Sequence, residues 1–148
     1  MSFTNDGEAQ VLNRIFTNQS MQVTAINSGA NFTPGTDDFY ISLHENDPGE
    51  AGTASEPTGS GDGYERKIIS FAALTSAGAT NTISNAGALT WSSIGGTWRS
   101  GNNIGYFGIH LGSTGTMIAK GAFDGGGAPA TSGDTVSIAI GAIDITMD

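Results

Sequence analysis

The sequence predicts a mainly β protein, namely a jelly-roll-like antiparallel β-sandwich of seven or eight short strands with one N-terminal α-helix. Short apolar segments with strand periodicity recur from residue 39 onward, and Gly-rich turns separate them. The separations leave no room for the helical crossovers that a parallel sheet requires. Glycine supplies 23 of the 148 residues, about twice its usual share of ~7%. No sharp change in composition divides the chain, so we expect a single domain over residues 1–148.

The N-terminal helix is predicted over residues 5–17. Asn5 is a suitable N-cap, and Glu8 lies at the spacing of a capping box. The apolar stripe on this helix consists of Val11, Leu12, Ile15 and Phe16. A helix of about a dozen residues is marginal in isolation, so the stripe must dock. Two alternatives are open: it covers one end of the chain's own sheet, or it anchors the chain in a partner subunit.

The strands are predicted where apolar and polar residues alternate. They are expected at residues 21–26, 39–44, 64–71, 80–91, 104–111, 116–123, 136–140 and 143–147. In the segment 39–44 the alternation places Tyr40, Ser42 and His44 on the face opposite the apolar one. A four-residue Gly-rich connection, 112–115, predicts a hairpin between two of the strands. The last two segments are expected to form the closing hairpin.

A long Gly-rich loop is predicted at residues 45–63, where no periodic apolar pattern occurs. A structureless loop of this length within a compact domain is usually functional or disordered. Asp47, Pro48 and Gly49 have the chemistry of a tight turn, because proline presets its own φ and glycine accepts a positive φ. We therefore expect a rigid corner directly after the strand 39–44.

Negative charge is concentrated in and around this acidic loop. Eight of the 14 carboxylates lie between residues 37 and 65, and no Lys or Arg lies between Arg14 and Arg66. The oxygen ligands that Ca²⁺ prefers could come from Glu45, Asp47, Glu50, Glu56 and Asp62. No EF-hand spacing is present. We therefore expect no cofactor, and instead a solvated acidic loop that meets a basic neighbour.

Composition argues against several classes of function. The net charge is −9 and the five Lys and Arg residues are scattered, which is unsuited to binding nucleic acid through its phosphates. The chain has no cysteine, no signal-peptide pattern and no run of 18 apolar residues. We therefore expect no disulfide and a soluble protein without a membrane span.

Catalytic residues are not expected. The chain offers His44 and His110 as candidate bases, but it lacks the G-x-S-x-G pattern around a nucleophilic serine. His44 and Glu45 would lie on opposite faces of a strand, whereas a base and the carboxylate that orients it must face each other. The sequence therefore predicts that the protein is not an enzyme.

The two tryptophans differ in their surroundings. Trp91 follows Leu89 in strand register and is expected in the core. Trp98 lies in a Gly-rich loop beside Arg99, and an exposed Trp next to an Arg is typical of an interface hot spot. Two interpretations stay open for Trp98: contact with a protein or glycan partner, or a plug that packs inside its own loop.

Most of the chain resembles a group of small bacteriophage virion structural proteins. Residues 41–52, Ile-Ser-Leu-His-Glu-Asn-Asp-Pro-Gly-Glu-Ala-Gly, resemble a short strand and the LHTADPG segment of that group. A Gly-rich stretch then leads to GGGYAR in those proteins, and residues 61–66 here read Gly-Asp-Gly-Tyr-Glu-Arg. Further similar segments are 4–7, 106–109 and 133–136. The resemblance does not extend to 18–38 or 72–100.

The resemblance implies a non-enzymatic, homo-oligomeric virion component of the tail-fibre-associated, minor-tail or decoration type. The expected function is a capsid decoration (cement) subunit that stabilises the particle through contacts between subunits. One alternative is a tail or tail-fibre accessory protein that binds other tail proteins or a host-surface glycan; a distant one is a glycan-cleaving enzyme. The expected partners are major capsid or tail proteins, with assembly in the host bacterial cytoplasm. The candidate interface residues are Val11, Leu12, Ile15, Phe16, Glu45, Asp47, Pro48, Glu50, Trp98 and Arg99.

Overall fold

The computed structural model describes Leu12, Phe16 and residues 38–57, 62–72, 81–92, 94–98 and 101–147. This part of the chain is mainly β with antiparallel sheets, which confirms the predicted fold class. Its ten short strands are β1 (Phe39–His44), β2 (Lys67–Ile69), β3 (Asn81–Ser84), β4 (Leu89–Trp91), β5 (Asn103–Ile104), β6 (Tyr106–Leu111), β7 (Met117–Ala122), β8 (Ala128–Pro129), β9 (Val136–Ile138) and β10 (Asp144–Met147). A 3-10 turn spans Asp124–Gly126. Among these described residues, no helix has the length and hydropathy of a membrane span.

The chain divides into two compact units, each assembled from segments that are distant in sequence. The first unit contains residues 1–37, 70–87 and 139–148, and the second contains residues 38–69 and 88–138. A single domain over the whole chain and a jelly-roll arrangement of the strands both stay predictions.

The second unit is built on a four-stranded antiparallel sheet with the strand order β2-β1-β6-β7. β1 is paired on both sides, since Phe39 lies opposite Ile69 of β2 and opposite Leu111 of β6. Five of the six residues of β1 are buried, so this strand is covered on both faces. The predicted hairpin through residues 112–115 is present as the β6–β7 pair. In the same unit β4 pairs with β9, and β5 pairs with β8.

The first unit contains the β3–β10 pair, and buried Asn85 lies directly after β3. The Asn85 amide nitrogen donates to the carbonyls of Gly87 and Ala139 at 2.8 and 2.9 Å. Its side-chain oxygen accepts from the Ile143 N–H at 2.9 Å. These bonds connect the end of β3 to the turn that precedes β10.

Of the predicted N-terminal helix, the structure describes only Leu12 and Phe16. Both are in helical conformation and both are buried. The Phe16 ring packs edge-on against Phe71 of the same unit, with 5.1 Å between the ring centroids. The rest of the helix predicted at 5–17, and the strand predicted at 21–26, lie outside the described residues.

Two details of the predicted strands are wrong. The segment 80–91 contains two strands, β3 and β4, because the turn at Asn85 separates them. The last two strands do not form a hairpin, since β9 pairs with β4 and β10 pairs with β3. The turn between β9 and β10 bonds to Asn85 instead, and the Gly141 N–H donates to the Asn85 backbone carbonyl at 3.0 Å.

Candidate functional site

Three polar side chains meet on one face of the four-stranded sheet. Ser42 and His44 lie on β1, and His110 lies on β6 opposite Tyr40. The Ser42 Oγ atom is 2.7 Å from His44 Nε2 and 2.7 Å from His110 Nε2. Ser42 and His44 are 0% exposed and His110 is 1% exposed. We call these three residues the serine–histidine cluster.

Gly108 makes room for this cluster. It lies opposite Ser42 in the β1–β6 register. A Cβ atom at position 108 would lie 2.8 Å from Ser42 Oγ and 3.1 Å from His110 Nε2. The first of these distances is shorter than a carbon atom tolerates, so any side chain at this position would displace the cluster.

When both histidines are neutral, His110 donates to Ser42 and Ser42 donates to His44. The His44 Nδ1–H donates to the Ala54 carbonyl at 2.8 Å, so His44 Nε2 accepts the Ser42 hydroxyl proton. His110 Nδ1 lies 3.1 Å from Arg66 Nη1, which can only donate, and 3.1 Å from the Gly115 carbonyl, which can only accept. Because the one hydroxyl proton of Ser42 goes to His44, the His110 Nε2–H must donate to Ser42 Oγ, and the Nδ1 atom of the neutral ring then accepts from Arg66. Both tautomers are assigned from this network.

Arg66 connects the cluster to the acidic loop. Its Nε and Nη2 atoms donate to the two carboxylate oxygens of Glu56 at 2.8 and 2.7 Å, which makes the pair bidentate. The Tyr64 hydroxyl donates to Glu56 Oε1 at 2.8 Å and accepts from the Leu43 N–H at 3.0 Å. That N–H lies on β1 beyond the residues that pair with β2, so the tyrosine hydroxyl supplies its acceptor.

These contacts shift several pKa values. Burial is the largest influence on Glu56 and acts to raise its pKa, but hydrogen bonds from Arg66 and Tyr64 outweigh it and hold the pKa below its ordinary value. Hydrogen bonding to Glu56 raises the pKa of Arg66, and burial raises the pKa of Tyr64. Burial, with the nearby Arg66 charge, lowers the pKa of His110. The Arg66–Glu56 pair therefore stays charged near neutral pH while the His110 imidazole stays neutral.

Two buried tryptophans hold the segment 62–66 in place. Trp98 Nε1 donates to the Asp62 carbonyl at 3.0 Å, and Trp91 Nε1 donates to the Glu65 carbonyl at 2.7 Å. The two indole rings pack edge-on, with 6.3 Å between their centroids. The conformation of the segment 62–66 therefore depends on indole donors from a distant stretch of sequence.

Trp98 is 0% exposed. Its ring packs edge-on against Tyr64, with 5.1 Å between the ring centroids. Of the two interpretations left open by the sequence, this burial favours the plug, because Trp98 finds an aromatic neighbour and a carbonyl acceptor inside its own unit. Its contact with a partner stays a prediction. Trp91 is buried, as predicted.

The acidic loop folds into a tight corner after β1. The Asp47 carboxylate accepts from the Gly49 N–H at 2.8 Å, Gly49 has a φ of +69°, and Pro48 is buried. Lys120 on β7 donates to Asp47 at 2.8 Å and lies 3.4 Å from Glu50. The loop therefore has the expected corner, and it meets a basic neighbour.

Three of the carboxylates considered as Ca²⁺ ligands are engaged in ion pairs. Asp47 and Glu50 pair with Lys120, and Glu56 pairs with Arg66. Within the part of the chain that the structure describes, no group of three or more His, Cys, Asp or Glu residues could hold a metal ion.

The candidate interface residues fall into three groups. Those on the acidic loop that reach solvent are Glu45, Asp47 and Glu50. Those that are buried in the chain itself are Leu12, Phe16, Pro48 and Trp98. Those outside the described residues are Val11, Ile15 and Arg99. Among the described candidates the loop carboxylates are the ones that reach solvent, and an interface role for any of the ten residues stays a prediction.

Sequence reasoning missed the serine–histidine cluster and the Arg66–Glu56 pair as a connected unit. A signal was available on β1, where Ser42 and His44 occupy alternate positions of a strand with an apolar opposite face. Adding His110 requires the β1–β6 register, which joins residues 68 positions apart and leaves no local pattern.

An open pocket with a volume of about 620 Å³ lies beside this network. Its lining residues are Tyr40, Tyr64, Glu65, Arg66, Ser113 and Thr114. Strand β1, the segment 62–66 and the β6–β7 hairpin therefore each contribute to its walls.

A family model matches residues 2–146 of the chain, and its description is Podophage GP4 fiber I protein gp80. The similarity covers nearly the whole chain, including both compact units. No curated protein and no solved structure matches the chain significantly.

Proposed function

The chain belongs to the podophage GP4 fiber I protein gp80 family, and we propose that it is a non-enzymatic subunit of a podophage fibre. Family membership makes it a phage virion structural protein of the fibre type. We further propose that it forms a homo-oligomer, contacts other virion proteins and enters the particle in the host bacterial cytoplasm. The partners that we propose include neither nucleic acid nor a membrane.

The main observation in support of a structural role is that the buried polar groups are fully hydrogen-bonded. Among the described residues, no buried side-chain nitrogen or oxygen atom lacks a hydrogen-bond partner. Fully satisfied networks of this kind rigidify a fold and favour one arrangement of its core. Rigidity of this kind suits a subunit that must keep its shape within a fibre.

The arrangement of the serine–histidine cluster supports the proposed absence of catalysis. Ser42 is fully buried, and its hydroxyl is shared between two imidazoles. In a catalytic triad a carboxylate binds the other nitrogen of the base. Here His44 Nδ1 binds the Ala54 carbonyl, and His110 Nδ1 lies beside Arg66 Nη1 and the Gly115 carbonyl, so neither histidine has a carboxylate at that nitrogen.

The fibre placement is our proposal in preference to the capsid decoration subunit that the sequence led us to expect. The description of the matching family names a fibre protein, and it supports a place on a fibre more directly than a place on the capsid lattice. Capsid decoration stays a prediction, which cryo-electron microscopy of the particles can test.

We propose the acidic loop as the surface that contacts a basic patch on a neighbouring virion protein. The Glu50 side chain is 97% exposed, and the corner at Asp47 and Gly49 fixes the backbone beside it. Complementary charge across an interface accelerates association and disfavours wrong partners. A preformed loop also avoids part of the ordering cost of binding.

The placement can be tested by cryo-electron microscopy of particles in which this protein carries a label. We expect the label on the fibres. Glu50→Lys should lower its incorporation at least about tenfold, because it would place like charges opposite each other. The matched control is Asp124→Lys, which reverses an exposed charge in the 3-10 turn and should leave incorporation unchanged. A label confined to the capsid lattice would overturn the fibre placement. Equal loss in both variants would overturn the role of the acidic loop.

A further inference from the structure

We propose that the open pocket beside the serine–histidine cluster binds a neutral saccharide through a pyranose ring. The inference rests on the proposed fibre function for the source of that sugar, which would be a glycan on the host surface. The binding chemistry itself depends only on the residues that line the pocket.

The pocket combines aromatic surface with unused hydroxyl groups. Tyr40 and Tyr64 are both partly exposed, and a tyrosine ring offers an apolar face with a polar tip. Such a face suits the C–H side of a pyranose. The side-chain hydroxyls of Tyr40, Ser113 and Thr114 make no hydrogen bond within the described part of the chain. Each can both donate and accept, as sugar hydroxyls require of their partners.

The lining is held in position before any ligand arrives. Tyr64 is fixed by the edge-on contact between its ring and Trp98 and by two hydrogen bonds at its hydroxyl. Arg66 is fixed by Glu56, and its Nη1 also donates to the Ser113 carbonyl at 3.3 Å. The hairpin tip is therefore connected to the floor of the pocket. Preorganised walls lower the cost of immobilising side chains on binding.

The charges in the pocket favour an uncharged ligand. The Arg66 guanidinium is already neutralised by the bidentate Glu56 carboxylate, and the Glu65 carboxylate pairs with Lys67 at 2.9 Å. No net positive charge is left to attract an acidic sugar, and the chain carries a net charge of −9. An anionic saccharide would therefore be repelled by the protein as a whole.

The size of the pocket is also compatible with this class of ligand. Small-molecule sites in proteins usually occupy roughly 300–1,000 Å³, and this pocket has about 620 Å³. It is open to solvent, and its lining combines aromatic rings with hydroxyl groups.

The test is saturation-transfer NMR on the full chain with a panel of neutral oligosaccharides, one sialylated oligosaccharide and the surface polysaccharide of the host. We expect saturable binding of at least one neutral sugar. Tyr40→Phe and Thr114→Val should each weaken it about three- to tenfold, because each removes one hydroxyl that bonds the ligand. The matched controls are Tyr106→Phe and Thr116→Val, which remove hydroxyls outside the pocket and should leave the affinity unchanged.

Three results would overturn the inference: no binding across the panel, tighter binding of the sialylated sugar, or equal weakening in pocket and control variants. The bound neutral sugar should also inhibit adsorption of the phage to its host. Binding without such inhibition would overturn the host surface as its source. Electron microscopy of the particles distinguishes failure of the sugar site from failure of the proposed fibre function. Tyr40→Phe particles should still carry the protein on their fibres. If the label is on the fibres but no sugar binds, the sugar site is wrong and the fibre function is retained.

Discussion

Arg66 uses all three of its nitrogen atoms within one small region of the protein. Nε and Nη2 bind Glu56, and Nη1 reaches both His110 and the Ser113 carbonyl. A lysine could not reproduce this pattern, because its ammonium group is a point charge on a flexible stem whereas the guanidinium is a planar fork. The acidic loop, the cluster and the β6–β7 hairpin are therefore joined through the geometry of one residue.

The titration of His110 predicts a loss of stability in mild acid. In the unfolded chain this imidazole binds a proton near its ordinary pKa of 6.5, whereas burial lowers its pKa in the folded protein. Between these two pKa values the unfolded state binds more protons, so the free energy of unfolding falls as the pH is lowered from about 7. The Glu56 pKa is also lowered on folding, and this adds a second loss as the pH falls below 4.5.

Urea unfolding between pH 8 and pH 4 measures this dependence. We expect the midpoint to decrease steadily below pH 7. His110→Gln should have a flatter profile between pH 7 and pH 5, even though its stability at pH 8 is lower. If the two profiles are parallel across that range, His110 is not the source of the acid sensitivity.

At the scale of the elements, the parts of the fold that depend on local pattern were predictable. Alternation identifies β1, and the four-residue connection identifies the β6–β7 hairpin, because both are properties of a few consecutive residues. The partners of β9 and β10 were not predictable in this way. They depend on Asn85, whose side chain reaches Ala139 and Ile143 across more than fifty positions.

In the candidate site, too, only the features that depend on a few consecutive residues were predictable from the sequence. The tight corner at Asp47 follows from turn chemistry, and sequence alone predicts it. The serine–histidine cluster depends on the β1–β6 register and on Arg66 arriving from a third segment. Trp98 was left with two interpretations because a loop position does not reveal whether an aromatic neighbour such as Tyr64 lies over it.

The corner of the acidic loop leads to a test with two glycines. Gly49 has a φ of +69° with open space around its Cα, and Gly87 has open space without a positive φ. Gly49→Ala should lower the free energy of unfolding by about 1 kcal/mol, because an L side chain is strained in this conformation. Gly87→Ala should be neutral or slightly stabilising. Urea unfolding of both variants decides the point, and equal effects would show that the corner is not held at positive φ.

At the scale of the whole molecule, the two compact units are each made of discontinuous segments. The chain passes from one unit to the other after residues 37, 69, 87 and 138. Neither unit can be completed until a segment that belongs to the other has been traversed. We therefore expect the units to fold together, as a single domain would.

Two probes can separate this expectation from independent folding. Both tryptophans of the chain lie in the second unit, so their fluorescence reports on that unit alone. The side-chain amide signal of buried Asn85 reports on the first unit. We expect the two urea transitions to coincide, as two-state unfolding requires. Transitions with separate midpoints would show that the units are independent domains.

The single hydroxyl that Ser42 shares with two imidazoles also limits which amino-acid substitutions this protein can accept during evolution. Replacing any one member of the serine–histidine cluster strands a buried nitrogen or oxygen without its partner, at a cost of about 1–3 kcal/mol, and Gly108 leaves no space for a compensating side chain. Descendants that abandon the cluster must therefore exchange several positions together, so Ser42, His44, Gly108 and His110 should be inherited or lost as a set.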